Sequence, residues 1–261
     1  VAGDESNLPV SYGAAVIGKQ VKNLVVTNCQ IDRCSSSLSG AGSGIWFTSS
    51  SGCKATGNVI INCHIGINTD AFYDTASQCN IISGNTISDC VSGYILDLQG
   101  VYRLVSTGDI VTQNVISNCT NRGIEIDDAT LGASVCRNVI SDCTEIGISM
   151  VHNTGNIEVS GNKVSACGIG VVLNPVTPSA NVNIVISSNI INNNIQDGIQ
   201  MRTVQNLKIY LNEIISNGRY GINNVVESYP RHLHISGNNI QDNVRDGIYL
   251  IDCFDVNISG N

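Results

Sequence analysis

The chain has 261 residues, a formal charge of −8 and 42% hydrophobic content, enough to bury a sizeable core. Such acidity speaks against an electrostatic grip on nucleic acid or anionic lipid, and there is no run of about 18 apolar residues to insert into a membrane. Asn, Ser, Gly, Ile and Val outweigh the helix formers, so short strands joined by tight turns are expected.

Residues 1–20, opening VAGDESNLPVSYG, read as a lead-in segment, and residues 21–261 as a single repetitive domain drawn from a longer chain. A loose first copy of the repeat lies at 28–45, with Ile31, Cys34, Gly44 and Ile45. Then follow NVIINCHIGI (58–67), NTISDCVSGYI (85–95), NVISNCTNRGI (114–124) and NVISDCTEIGI (138–148). NKVSACGIGV (162–171), NIINNNIQDGI (189–199), NEIISNGRYGI (212–222) and NNIQDNVRDGI (238–248) complete the series. The period is about 25 residues, and each unit holds three short segments that alternate apolar and polar. A unit so short cannot bury a face alone, so stacked units must share one continuous core, each strand pairing in parallel with its counterpart one coil away.

Recurring residues then become columns. The Asn column is expected to stack its amides in a turn that tolerates left-handed backbone. Cys34, Cys63, Cys90, Cys119, Cys143 and Cys167 form a row of small buried thiols, continued by Asn194, Asn217 and Asn243. Zinc is not expected, since there is no CxxC and the four histidines are scattered.

These Asn, aliphatic, Cys/Asn and Gly-Ile repeats resemble those of the pectate-lyase-like superfamily over nearly the full length. The resemblance implies an all-β fold, a right-handed single-stranded parallel β-helix of about nine to ten coils with three parallel sheets. It also implies that the Asn column lies between the second and third sheets, and that the strand after the Gly belongs to the first sheet, where substrate lies.

Function is sought where the register holds and the residue type departs from it. Two residues after the Gly, the column reads Trp46, Asn68, Ile95, Glu125, Ser149, Val172, Gln200, Asn223, Tyr249, and four after it Thr48, Asp70, Asp97, Asp127, Val151, Asn174, Arg202, Val225, Ile251. Both columns are expected to face solvent. Three consecutive coils thus carry an Asp at one position, with Glu125 beside the third. Like charges one coil apart are costly, and two reasons would justify them: a catalytic acid beside an ionised partner, or calcium held by Asp70, Asp97 and Asp127. The segments after Asp70 and Asp97 are longer than most and add Tyr73, Tyr102 and Arg103. Rings, guanidinium groups and amides suit a sugar, so Trp46, Asn68, Tyr73, Tyr102, Arg103, Arg122 and Arg202 are the expected substrate-binding residues.

The leading reading is a polysaccharide-active enzyme, hydrolase or lyase, with Asp70, Asp97, Glu125 and Asp127 as its catalytic carboxylates. Pectate-lyase basic patterns and the Asp-Pro-His-Glu run of mannuronan epimerases are absent, which weakens those two activities. The alternative is a non-catalytic structural or glycan-binding domain of a viral tail fibre, tailspike or adhesin, for which a homotrimer would cover the solenoid ends. Either reading places the protein outside the cell, secreted or virion-associated, with polysaccharide as partner and neither nucleic acid nor membrane insertion.

Overall fold

The computed structural model describes residues 13–34, 42–70, 77–97, 107–127, 130–151, 154–174, 181–225 and 228–261, with Leu96, Asp97 and Asn181 given by backbone alone. All described regular structure is β. Three sheets of ten, ten and nine strands run the length of the molecule, and every strand pair is parallel. Eight coils carry the chain from the first strand of the third sheet, Gln30–Asp32, to its last, Asn239–Gln241, and partial coils flank them. The expected right-handed parallel β-helix is the fold observed, with eight such coils rather than the nine to ten expected. Its first sheet begins at Ala14–Lys19, paired with Ser43–Thr48, so the solenoid starts inside the segment read as lead-in.

One inward residue per short strand builds the core. In the third sheet Ile60, Ile87, Ile116 and Ile140 pair in succession, each fully or almost fully buried, because identical branched side chains interlock at the spacing of a parallel ladder. The glycine at the second position of the first-sheet strand is fixed by crowding. A Cβ on Gly66 would lie 2.4 Å from the carbonyl oxygen of Gly93 and 2.4 Å from Ile87 Cγ2, and Gly93 meets Gly123 in the same way. Any side chain there would push two coils apart.

The asparagine column lies between the second and third sheets, as the resemblance implies: Asn58 follows Lys54–Thr56 and precedes Val59–Ile61. The backbone N–H and Nδ2 of Asn138 both donate to Asn162 Oδ1, at 2.9 and 3.0 Å, and Nδ2 also donates to Val111 O at 2.9 Å. The same bonds recur at Asn58, Asn85, Asn114, Asn162, Asn189, Asn212 and Asn238, ending on Asn261. In this way the polar groups of a buried corner are satisfied. The turn holds a left-handed residue, as expected, and it is the one before the asparagine. Gln113, Arg137, Ser188 and Leu211 have φ of 56–57°, and glycine takes that place in other coils. The freed asparagine backbone can then aim its amide along the helix axis.

Candidate functional site on the first sheet

The columns read from the sequence exist as registers. Trp46 pairs with Asn68, Asn68 with Ile95, Ile95 with Glu125, and the series continues through Ser149, Val172, Gln200 and Asn223 to Tyr249. Thr48 pairs with Asp70 and Asp70 with Asp97; Leu96 pairs with Ile126, and Asp127 is the next residue. The four acidic positions therefore share three neighbouring coils.

Their environment differs from the solvated face expected. Trp46, Asp70 and Glu125 are 5, 2 and 8% exposed, and the strands Ser43–Thr48 and Ile146–Val151 are buried on both faces. The Trp46 indole N–H donates to Asp70 Oδ2 at 2.8 Å. Trp46 is thus a buried donor to the carboxylate rather than an open stacking platform. The Arg122 guanidinium pairs with the Glu125 carboxylate, so neither is an isolated charge. Asn68 is half-buried with its Oδ1 unpaired among the described residues. Asp127 is half-buried and Arg202 exposed. Tyr73, Tyr102 and Arg103 lie outside the described residues, as does the Asp97 side chain.

On the inner face of the same coils sits a polar thread that the alternation gave no reason to expect. Thr69 Oγ1 and the Tyr94 hydroxyl lie 2.7 Å apart within the core. At the corner before the second sheet, the Cys53 N–H donates to Asn80 Oδ1 at 3.0 Å, and the Asn80 N–H to Asp109 Oδ1 at 2.9 Å. This second, shorter ladder ends on a carboxyl that burial pushes up to about 6, although bonds from Asn80 and Thr69 partly offset the desolvation.

Sequence reasoning missed a second polar cluster, on the last coils of the first sheet. Asp197 is fully buried; Gln200 Nε2 and Asn223 Nδ2 donate to its Oδ2 at 2.9 and 3.0 Å, and the Tyr220 N–H to its Oδ1 at 3.2 Å. Arg219 Nε lies 3.8 Å from the same Oδ1. The rings of Tyr220 and Tyr249 stack at 5.0 Å with 24° between planes, and Arg219 and Arg245 each bring a guanidinium carbon to 5.5 Å from the Tyr220 ring centre. Most of these residues sit just before the Gly, and the signal was there in IQDGI, GRYGI and VRDGI.

Residues 4–217 match the family model described as "Periplasmic copper-binding protein (NosD)". The chain belongs to this family. Residues 174–261 of this NosD-family protein also match the model "Right handed beta helix region". No curated protein matches the sequence. Among solved structures, the chain is similar to the periplasmic alginate epimerase AlgG, with 15% identity, TM-score 0.73, and coverage of 90% of this chain and 59% of that one. It is also similar to DFA-IIIase from Arthrobacter chlorophenolicus A6 without its lid, with 13% identity, TM-score 0.75, and coverage of 95% and 66%. The catalytic domain of a GH87 α-1,3-glucanase in complex with tetrasaccharides gives 16% identity, TM-score 0.71, and coverage of 91% and 48%. The chain spans less than two thirds of each of these proteins, and at such identities the likeness shows the fold.

The family description names copper, and the described residues of this NosD-family protein do not fit that ion. Among them, no group of three or more His, Cys, Asp or Glu side chains is placed to hold a metal. The thiols of the Cys63 to Cys167 column stand in single file, one per coil, and those of Cys63, Cys90, Cys119, Cys143 and Cys167 each donate to the carbonyl two residues before, at 3.3–3.7 Å. Ligation needs a thiolate, and the file does not favour one uniformly: burial pushes Cys34 up to about 11 and the bond to Cys119 pushes Cys143 up to about 12, while the bond to Cys63 lowers Cys90.

Proposed function

We propose that this NosD-family protein is a polysaccharide-active β-helix acting outside the cytoplasm, with a glycan chain lying along the first sheet across the coils of Asp70, Asp97 and Asp127. The observation that carries the proposal is the register of Asp70 on Asp97, with Asp127 directly after the next paired residue. The carbohydrate-acting structures that share the fold support it, and the periplasmic family description supports the compartment.

In this reading Asp97 and Asp127 carry the chemistry, cleaving a glycosidic bond by hydrolysis or elimination. Trp46 holds the Asp70 carboxylate in place, and the Arg122 and Glu125 pair borders the site on the next coil. Carboxylates one coil apart, at roughly 5 Å, suit a retaining hydrolase, and two coils apart, at roughly 10 Å, an inverting one. Calcium across Asp70, Asp97 and Asp127 belongs to the elimination route, where it would acidify a uronate proton.

The test is incubation with a panel of neutral and acidic glycans, with products read by mass and by the ultraviolet absorbance of unsaturated sugars. Asp97→Asn and Asp127→Asn are each expected to abolish cleavage while leaving the melting temperature unchanged or higher. Undiminished turnover in both variants would remove the assignment. A second reading, a non-catalytic structural or glycan-binding domain, is favoured by the burial of Asp70 and Glu125 and by their existing partners. It predicts binding without cleavage anywhere in the panel.

A further inference from the structure

We infer that the last three coils of the first sheet form a binding subsite for an anionic sugar residue, built from Tyr220, Tyr249, Arg219 and Arg245 on a buried Asp197. The inference rests on the first sheet being the glycan face, and adds to that reading a location away from the acidic coils and a chemical class of ligand.

Construction comes first. Gln200, Asn223 and Tyr249 occupy one outward column on successive coils. Asp197, beside that column, is fully buried and receives the Gln200 amide, the Asn223 amide and the Tyr220 backbone N–H, with Arg219 3.8 Å away. A carboxylate withdrawn from water and bound by donors from three coils is expensive to bury, and it fixes the groups around it. Unlike the acidic coils, where both faces of the sheet are covered, this cluster opens to solvent: Tyr249 is 37% and the Arg219 side chain 38% exposed, and Arg245 is exposed.

Ligand chemistry follows from what is left over. The stacked tyrosines present an exposed ring of fixed orientation, the kind of surface on which the C–H face of a pyranose packs. Arg245 spends one N–H on the Tyr220 hydroxyl, at 3.3 Å, and keeps its other donors for a ligand. Arg219 and Arg245 stand against the buried Asp197, whose oxygens are already taken by amides and a backbone N–H, and the exposed Asp246. In a chain of net charge −8 the unspent donors of these two guanidinium groups are what an anion would find. A planar fork beside a ring is matched by a sugar that carries its carboxylate next to the ring, namely a uronate.

Calorimetry on the full chain decides it, with oligogalacturonate, oligomannuronate and neutral malto-oligosaccharides of equal length as probes. At least one oligouronate should bind. Arg245→Gln and Tyr249→Ala, both at exposed positions, should each weaken it by about tenfold or more with the melting temperature unchanged, and Tyr249→Phe should retain it. Asp97→Asn should leave this binding untouched even where it ends cleavage, so loss of the subsite and loss of the proposed catalysis are read separately. Equal affinity for the neutral probes, no binding of either oligouronate, or binding indifferent to both Arg245→Gln and Tyr249→Ala would each overturn the inference.

Discussion

At the corner between the third and first sheets, the coils up to Cys167 carry a thiol, while those from Asn194 onward carry an amide. The fold accommodates both, but the bonds differ in reach. A thiol such as Cys119 donates to Ser117 O within its own coil, at 3.7 Å. An amide such as Asn217 accepts from the N–H and Nδ2 of Asn194, at 3.2 and 2.9 Å, and donates to Ile191 O and Asn243 Oδ1. In the first half this corner packs and joins coils only through weak thiol–thiol bonds such as that of Cys119 with Cys143; in the second, amide bonds tie each coil to the next. The outward surfaces divide in a related way, with carboxylates covered over the thiol coils and tyrosines and arginines open over the amide coils. Where the inner corner locks successive coils, the outer face can afford an exposed, charged cluster.

The sharpest way to break this comparison is truncation at equivalent positions. Asn217→Ala strands buried donors on Asn194 as well as removing its own bonds, and should cost about 3–4 kcal/mol. Cys119→Ala removes one small packed group and should cost about 1–2 kcal/mol. Urea midpoints measure both, and equal losses would end the claim that the amide couples coils more strongly than the thiol.

A smaller effect is expected at Asp109, where a ladder in the first half ends on a carboxyl. Burial raises its folded pKa from 3.8 to about 6. The charged form is therefore disfavoured in the folded state: stability is highest below about pH 4, falls as pH rises towards 6, and is flat above. Asp109→Asn keeps an acceptor for the Asn80 N–H and removes the charge. It should raise stability at pH 7 by about 2–3 kcal/mol and leave it unchanged at pH 4, as melting curves at the two pH values would show. A gain of equal size at both would mean that the charge is not what is relieved.

The smallest effect tests whether the two halves are interchangeable. The Cys167 N–H already donates to Asn194 Oδ1 at 3.0 Å, so Cys167→Asn should extend the amide column by one coil. A gain of up to about 1 kcal/mol in the urea midpoint is expected, and a loss would show that the thiol coils are packed too tightly for an amide.

The sequence revealed most of the fold because a solenoid writes its contacts at a fixed interval: the Asn, Cys and Gly-Ile columns each became a ladder, and the column from Trp46 to Tyr249 holds in register throughout. Burial of Trp46, Asp70 and Glu125 was not legible, since alternation tells which side of a strand a residue takes but not what lies over that side. Nor did composition tell which residue of the asparagine turn takes the left-handed backbone. Asparagine tolerates that backbone, but here it is more useful as the partner of the next asparagine, and the preceding Arg137 or Ser188 takes the strain. The Tyr220 and Arg245 cluster escaped because only the positions after the glycine were compared.

The asparagine column also bears on how such a molecule changes length. Every amide in it points the same way and makes the same two bonds, to the asparagine one coil on and to a backbone carbonyl one coil back, so the column acts as a self-similar joint. If residues 114–137 were excised, Asn85 would meet Asn138 instead of Asn114, and the bond lost would be replaced by an identical one. A gene encoding this protein can thus be lengthened or shortened by whole coils, in steps of roughly 4.8 Å, without reworking either side of the cut. On that view the outward columns are cargo: acidic coils and tyrosine coils can be brought nearer or moved apart along one axis, and the span of glycan between them adjusted by recombination alone.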